Sequence, residues 1–255
     1  MLSSLRRADV LCLALGLLAL CAATGFAAPA DPPPGFTSLF NGKDLTGWKV
    51  PAGDNGHWKV VEGVIDYDAQ SQAPGEDKNL WSVGEYGDFV LRLEWRIKET
   101  PYTNPNVPII RYDGTHKKGP DGKEIKLAVP DSDSGVFLRG ASKAQVNIWC
   151  WPTGSGEVYG YRMDEKMPTA VRAGVTPKAN ADKDVGQWNA FEITMKGDRL
   201  TVVLNGVTVL ENAQLPGVPA KGPLALQHHG QKKDGVWTGP PSLVQFRNLS
   251  IKELK

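Results

Sequence analysis

The chain reads as an all-β sandwich or jelly roll. Three observations predict it: about a dozen short runs with apolar residues at every second position, turn signals between them, and almost no 3.6-residue apolar period. Gly 28 and Pro 19 in 255 residues suit a turn-rich β protein better than a helical one. Lys+Arg 29 against Asp+Glu 28 leaves a net charge of +1, which argues against nucleic acid or an anionic membrane as partner.

Met1 to Ala30 reads as a secretory signal peptide. Arg6 and Arg7 supply its positive region, and Leu11 to Ala23 is an apolar run too short to span a bilayer comfortably. Ala28-Pro29-Ala30 and Gly25-Phe26-Ala27 both suit a signal peptidase. Cys21 follows Leu20, which is larger than a lipoprotein site needs, so lipid anchoring is not expected. The pair Arg6-Arg7 hints at twin-arginine export, but nothing else in the motif supports it, and general secretion is the default. An uncleaved anchor helix is the alternative. The expected layout is a signal peptide over 1–30, a Pro-rich linker over 31–35 and a single domain over 36–255. The mature chain is then secreted or periplasmic, with no integral membrane segment.

Three Cys are present, and two, Cys12 and Cys21, fall in the leader. Cys150 is left alone, so no intrachain disulfide is expected. It continues the face of Val146 and Ile148 and reads as a buried thiol, not a nucleophile.

Phe36 to Phe40 opens the globular part. Trp58 to Val61 and Val64 to Tyr67 form a hairpin over Glu62-Gly63, and Leu80-Trp81-Ser82 is a further short strand. Phe89 to Lys98 is the clearest strand: Phe89, Leu91, Leu93, Trp95 and Ile97 alternate with Val90, Arg92, Glu94, Arg96 and Lys98. Glu99 to Asp133 is long, charged and Pro-rich, and reads as a rim or lid with an inner hairpin between Ile109-Ile110 and Ile125 to Val129; His116 within it is expected to face solvent. Ser134 to Trp151 reads as two strands joined at Gly140 to Lys143. Val136, Leu138, Val146 and Ile148 supply an apolar face; Phe137, Arg139, Gln145, Asn147 and Trp149 supply the other. Guanidinium, amides and indole together are what a sugar-binding surface uses. The Gly-rich run Pro152 to Arg162 lacks the helix and Lys-Ser/Thr of a phosphate loop. Asp164 to Asp184 is polar and irregular. Trp188 to Lys196 and Arg199 to Leu204 pair over Gly197-Asp198, and Asn205-Gly206 turns into Val207 to Leu210. Leu224 to His229 places Gln227 and His229 on its polar face. Leu243 to Leu254 closes the chain, with a slip of the apolar period near Asn248. The first and last strands are expected to be neighbours.

The succession SLFNGKDLTGW, WKVVEGVI, YGDFVLRLEWR, DSGVFLR, QVNIW, GQWNAFEITMKGDRLTVVLNG and GPLALQHHG with VQFRNLSI resembles the 3-keto-disaccharide hydrolase domain family, from about Phe36 to Lys255. The resemblance implies a concanavalin A-like jelly roll of two curved antiparallel sheets with a cleft on the concave face, in secreted or periplasmic bacterial proteins acting on oxidised sugars. Two departures stand out. Asp133-Ser134-Gly135 replaces the common Asn-Ser-Gly, and Gln145 to Cys150 replaces a Glu-x-Gln-Ile-x-Asp strand. Both carboxylates of that strand are missing here, and a role tied to them does not carry over.

On this reading the concave face collects Glu94, Arg96, Arg139, Gln145, Asn147, Trp149, Gln227 and His229. A glycosidase of the usual kind needs two flanking carboxyl groups, and only Glu94 is placed there; Asp133, Glu157 and Asp66 are loop candidates. The shortage favours the chemistry that the resemblance implies: the 3-keto group acidifies C2–H, a base removes it, and the glycosidic oxygen leaves by elimination before water adds back. The expected catalytic groups are His229 as base or acid, Glu94 as its partner and Arg139 as oxyanion stabiliser, with Arg96 as alternative. Gln145, Asn147 and Gln227 would hold hydroxyls, and Trp149 or Tyr159 would stack on the ring. His228 and His229 could instead be a satisfied hydrogen-bonding pair. No cofactor is certain; a divalent metal held by His and Glu94 stays open, although no metal-ligand spacing is present. The expected partner is an oligosaccharide or oxidised glycoside. The rival readings are a non-catalytic carbohydrate-binding module of the cell envelope and a structural envelope protein.

Overall fold

A computed structural model describes residues 31–255; the signal peptide expected over residues 1–30 lies outside the described residues. Two antiparallel sheets supply most of the secondary structure. The larger runs Val207–Gln214, Arg199–Leu204, Asn189–Lys196, Phe89–Ile97, Leu243–Glu253, Val64–Asp68 and Lys59–Val61, with Thr37–Ser38 also paired to Leu243–Glu253. The smaller runs Ala141–Ile148, Ser134–Leu138, Gly222–Leu226, Leu80–Tyr86 and Trp48–Lys49. The all-β jelly-roll expectation holds. Among the described residues, no helix is long and apolar enough to cross a membrane.

The core lies between the sheets and follows the period-2 pattern. Phe89, Leu91, Leu93, Trp95 and Ile97 are buried, while Arg92 is exposed and Glu94 and Arg96 are half-buried. Phe191, Ile193 and Met195 continue this face in the larger sheet; Val136, Leu138, Val146, Ile148, Leu224 and Leu226 meet them from the smaller one. Each such burial stabilises by roughly 1.5–3 kcal/mol, so one charge at Leu91 or Ile193 would split the sandwich. The first and last strands are neighbours, Thr37 opposite Ile251. The slip near Asn248 is a bulge: Asn248 has φ 53°, and the register shifts between Arg247 and Ser250. Asn205 and Gly206 both take positive φ, as a two-residue hairpin turn that follows strand twist requires.

Three local expectations change. The turn after Leu138 is Arg139-Gly140, both at positive φ, and the next residues are absorbed as a register shift between Ala141 and Gln145. Arg139 therefore leaves the strand and does not share the face of Phe137. The long segment pairs earlier than expected, Tyr102–Pro108 with Lys126–Asp131, and its register shifts between Asn104 and Val107, around Pro105, which has no N–H to give. The irregular stretch contains a short helix, Thr169–Gly174, and another, Tyr159–Arg162, precedes it.

Candidate active site on the smaller sheet

The outer face of the smaller sheet is built row by row from its register. Phe137 lies opposite both Gln145 and Ala225, Ala225 opposite Trp81, and Trp81 opposite Lys49. In the next row Asn147 lies opposite Gly135, whose carbonyl accepts the Gln227 N–H at 2.9 Å. Two residues further along each strand come Trp149, Asp133 and His229, on the same face by alternation.

Gly135 leaves an opening in this surface. A Cβ there would run into the Gln145 amide. In its absence the amide lies across the strand, donating to the Ser134 carbonyl at 3.2 Å and to Gln227 Oε1. Gln145 Oε1 and the Gln227 amide N–H groups are left for a ligand.

His229 donates its backbone N–H to Ser242 Oγ at 2.7 Å, and its Nδ1 lies 2.6 Å from the Pro240 carbonyl. A carbonyl only accepts, so Nδ1 carries the proton and Nε2 is the basic nitrogen. Asp133 retains some exposure as a residue, but its Oδ1 is enclosed without a hydrogen-bond partner. Burial pushes this carboxyl up to about 7; the charge of nearby His229 opposes the shift and that of Asp131 adds to it. Asp131 is anchored by Asn104 at 3.1 Å and Trp151 Nε1 at 3.0 Å. His228 points the other way, against the Tyr67 hydroxyl at 2.6 Å, and burial lowers its pKa to about 4, so it is neutral.

The Pro152 to Arg162 segment walls one side. The Asn147 N–H donates to the Glu157 carbonyl, and Gly156 N–H returns a bond to Asn147. Glu157 and Arg162 are both fully buried, with Arg162 Nε 2.5 Å from Glu157 Oε1. Burial drives the Glu157 carboxyl above the ordinary range even against the pull of Arg162. Arg162 Nη1 donates to His116 Nε2 at 2.9 Å, which fixes the His116 proton on Nδ1, facing Glu124 at 2.9 Å. His116 is thus half-buried and occupied, not free in solvent. Asn147 Oδ1, Glu157 Oε2 and Arg162 Nη2 are enclosed without partners, like Asp133 Oδ1. Buried polar groups are paired in the great majority of cases, so four orphans contributed by adjoining strands and their covering segment mark a place built for something else.

The aromatic groups differ from expectation. Trp149 is buried, stacked on Trp151 at 4.1 Å between centroids, and donates Nε1–H to the Gly154 carbonyl. It is a wall, not an open platform. Tyr159 stands edge-on to both indoles and is exposed, and half-buried Trp81 lies beside Phe137 at 5.9 Å.

The structure brings together Gln145, Asn147, Trp149, Tyr159, Gln227 and His229. It does not bring in three others. Glu94 projects from the outer face of the larger sheet, across the sandwich, and is held by Arg247 at 2.7 Å and Asn248 at 2.9 Å. Arg96 is on the same far face, bonded to Gln245 at 2.6 Å with Trp188 over its guanidinium. Arg139 is buried and donates to the carbonyls of Gly87, Gly197 and Pro219 and to Asp88. A ligand set of His229 with Glu94 is therefore ruled out by position. Among the described residues no group of three or more His, Cys, Asp or Glu is arranged to hold a metal ion. Cys150 is half-buried, its thiol pushed up to about 12 by burial.

Sequence reasoning missed Arg162, Trp81, Trp151 and His116, and left Asp133 and Glu157 as loop candidates. Trp81 had a signal, since it alternates with Leu80 and Ser82; the others are placed only by pairing with distant strands.

The family model described as the 3-keto-alpha-glucoside-1,2-lyase-like domain matches residues 35–252. No curated protein matches the chain. Among solved structures, one provisionally assigned glycosyl hydrolase of Parabacteroides distasonis ATCC 8503 aligns with TM-score 0.54 at 22% identity, covering 87% of this chain and 84% of that one. A second from the same organism aligns with TM-score 0.52 at 19% identity, covering 87% and 95%. At these identities the likeness is one of fold.

Proposed function

Because the chain belongs to the 3-keto-alpha-glucoside-1,2-lyase-like domain family, and so to the carbohydrate-active proteins, we propose that it cleaves the glycosidic bond of 3-keto-glycosides by elimination on the outer face of the smaller sheet. The observation that carries this reading is the carboxyl of Asp133, with Oδ1 enclosed and unpartnered, near His229, on a face where Asn147 also keeps an enclosed unpartnered atom. The base is His229 Nε2, free because Nδ1 is committed to Pro240. It takes the proton from C2, which the 3-keto group has acidified; the C2–H electron pair becomes the C1=C2 bond, and the C1–O pair departs with the aglycone. Asp133 protonates that leaving oxygen, a task suited to a carboxyl held up near 7. Gln145 and Gln227 bind sugar hydroxyls, and Trp81, in the same row as Gln145, stacks on the ring. Water then adds back to the glycal. Export through a leader over residues 1–30 belongs to the same proposal, and amino-terminal sequencing of exported protein tests it.

The reaction is tested with α- and β-linked 3-keto-glucosides, with and without added divalent metal. Aglycone release from the keto sugar and none from the parent glucoside is expected. No turnover on any keto sugar, with measurable binding of an unoxidised glycan, would make the face a binding site only.

A further inference from the structure

A second pocket opens at the end of the sandwich, beyond the Trp149–Trp151 stack. It measures about 260 Å³ and is lined by Trp95, Trp149, Trp151, Asn180, Asp182 and Asn189, among others. Four tryptophans are buried among the described residues: Trp48, Trp58, Trp95 and Trp149. Three of them donate their indole N–H to a carbonyl, at 2.8, 2.9 and 2.7 Å. Trp95, only 2% exposed, does not; its Nε1 is enclosed without an acceptor. Asp182, on the same pocket, places Oδ2 on the Ser155 N–H at 2.8 Å and leaves Oδ1 enclosed without a donor.

An orphan donor and an orphan acceptor, carried by two residues that line one pocket and enclosed just behind its wall, are satisfied together by a group that accepts from the first and donates to the second. A hydroxyl does both. A cation would oppose the indole N–H, and an anion would oppose the carboxylate. The volume is far above the roughly 30 Å³ of a single water, and indole rings supply apolar lining beside the polar pair. The geometry points to a second carbohydrate subsite here, taking one uncharged sugar ring through a hydroxyl bridged between Trp95 Nε1 and Asp182 Oδ1. This site stands on its own orphan pair and does not depend on the reaction proposed for the smaller sheet.

The test is a titration of the ¹⁵N-labelled mature chain with glucose, followed at the indole N–H resonances. Trp95→Phe identifies the Trp95 signal by its loss. That signal is expected to shift saturably, with a dissociation constant of order millimolar. Asp182→Asn keeps an oxygen for Ser155 but turns the pocket acceptor into a donor, and should weaken the response about tenfold. His229→Asn should leave it unchanged, which separates this site from the outer face. A Trp95 resonance that stays still up to about 100 mM glucose while the Trp81 resonance moves would overturn the inference. So would an undiminished response in Asp182→Asn, or a crystal structure at that concentration with ordered water alone bridging the pair.

Discussion

The outer faces of the two sheets are both rich in charge and amide groups, yet they differ in what those groups do. On the larger sheet the central charged and amide groups are paired. Arg92 meets Glu192, Glu94 meets Arg247 and Asn248, and Arg96, Gln245, Asp66 and Lys98 form a chain. On the smaller sheet Asp133, Asn147, Glu157 and Arg162 each keep one enclosed atom without a partner. Composition makes the two faces look equivalent; satisfaction of hydrogen bonds separates them. An exposed ion pair contributes little to stability, whereas an unpaired enclosed group costs stability unless a water or ligand meets it.

The largest effect expected from this contrast is on His229. Replacing it with Asn should lower turnover of a 3-keto-glucoside by about a thousandfold, within the range for a lost general base, while sugar binding measured by calorimetry persists. Glu94→Gln, on the paired face, should stay within about twofold of wild type. Equal losses in both variants would erase the distinction between the faces.

Arg139 comes next and reads out in stability. Arg139→Met strips a buried guanidinium from three carbonyls and Asp88, and should cost about 3 kcal/mol in urea unfolding. The apparent KM should not change, because the group lies away from the site. A raised KM with intact stability would return Arg139 to the substrate.

Asp133 gives a smaller effect with a pH signature. Its carboxyl titrates at about 7 in the folded protein, against an ordinary value of about 3.9. Between those values the native state holds a proton that the unfolded chain has released, so stability from this group is full below about 4 and is lost as pH rises through 7. Asp133→Asn should remove that slope and gain about 2–3 kcal/mol at pH 8 relative to pH 5. Wild-type turnover should fall above pH 7 as the acid is lost. Parallel stability curves in wild type and variant would refute the assignment. Smallest of all, Trp81→Leu should weaken sugar binding by about 1 kcal/mol, as a lost stacking face does, with kcat nearly unchanged.

Much of this was legible in the chain. The alternation from Phe89 to Ile97 set its buried face, Asn205-Gly206 set a hairpin, and the period slip located the Asn248 bulge. Gln145, Asn147 and Gln227 share a face for the same reason. What misled was the step from one strand to the next. Arg139 follows Phe137 at the right spacing, but the turn begins at Arg139 itself, and positive φ swings its side chain away. Glu94 alternates correctly, but its strand pairs with Asn189–Lys196 and Leu243–Glu253, so it faces outward from the other sheet.

The sequence by itself determined the β class, the core face of each strand and the polar residues opposite it, because period 2 is a local property of an extended backbone. Only the tertiary structure decided which polar faces share a surface, which carboxyls are desolvated, and that Glu157, Arg162 and His116 line up beside Asn147. Those outcomes depend on pairings between residues far apart in the chain. Burial, and with it the pKa and the unmet hydrogen bond, exists only once those segments have come together.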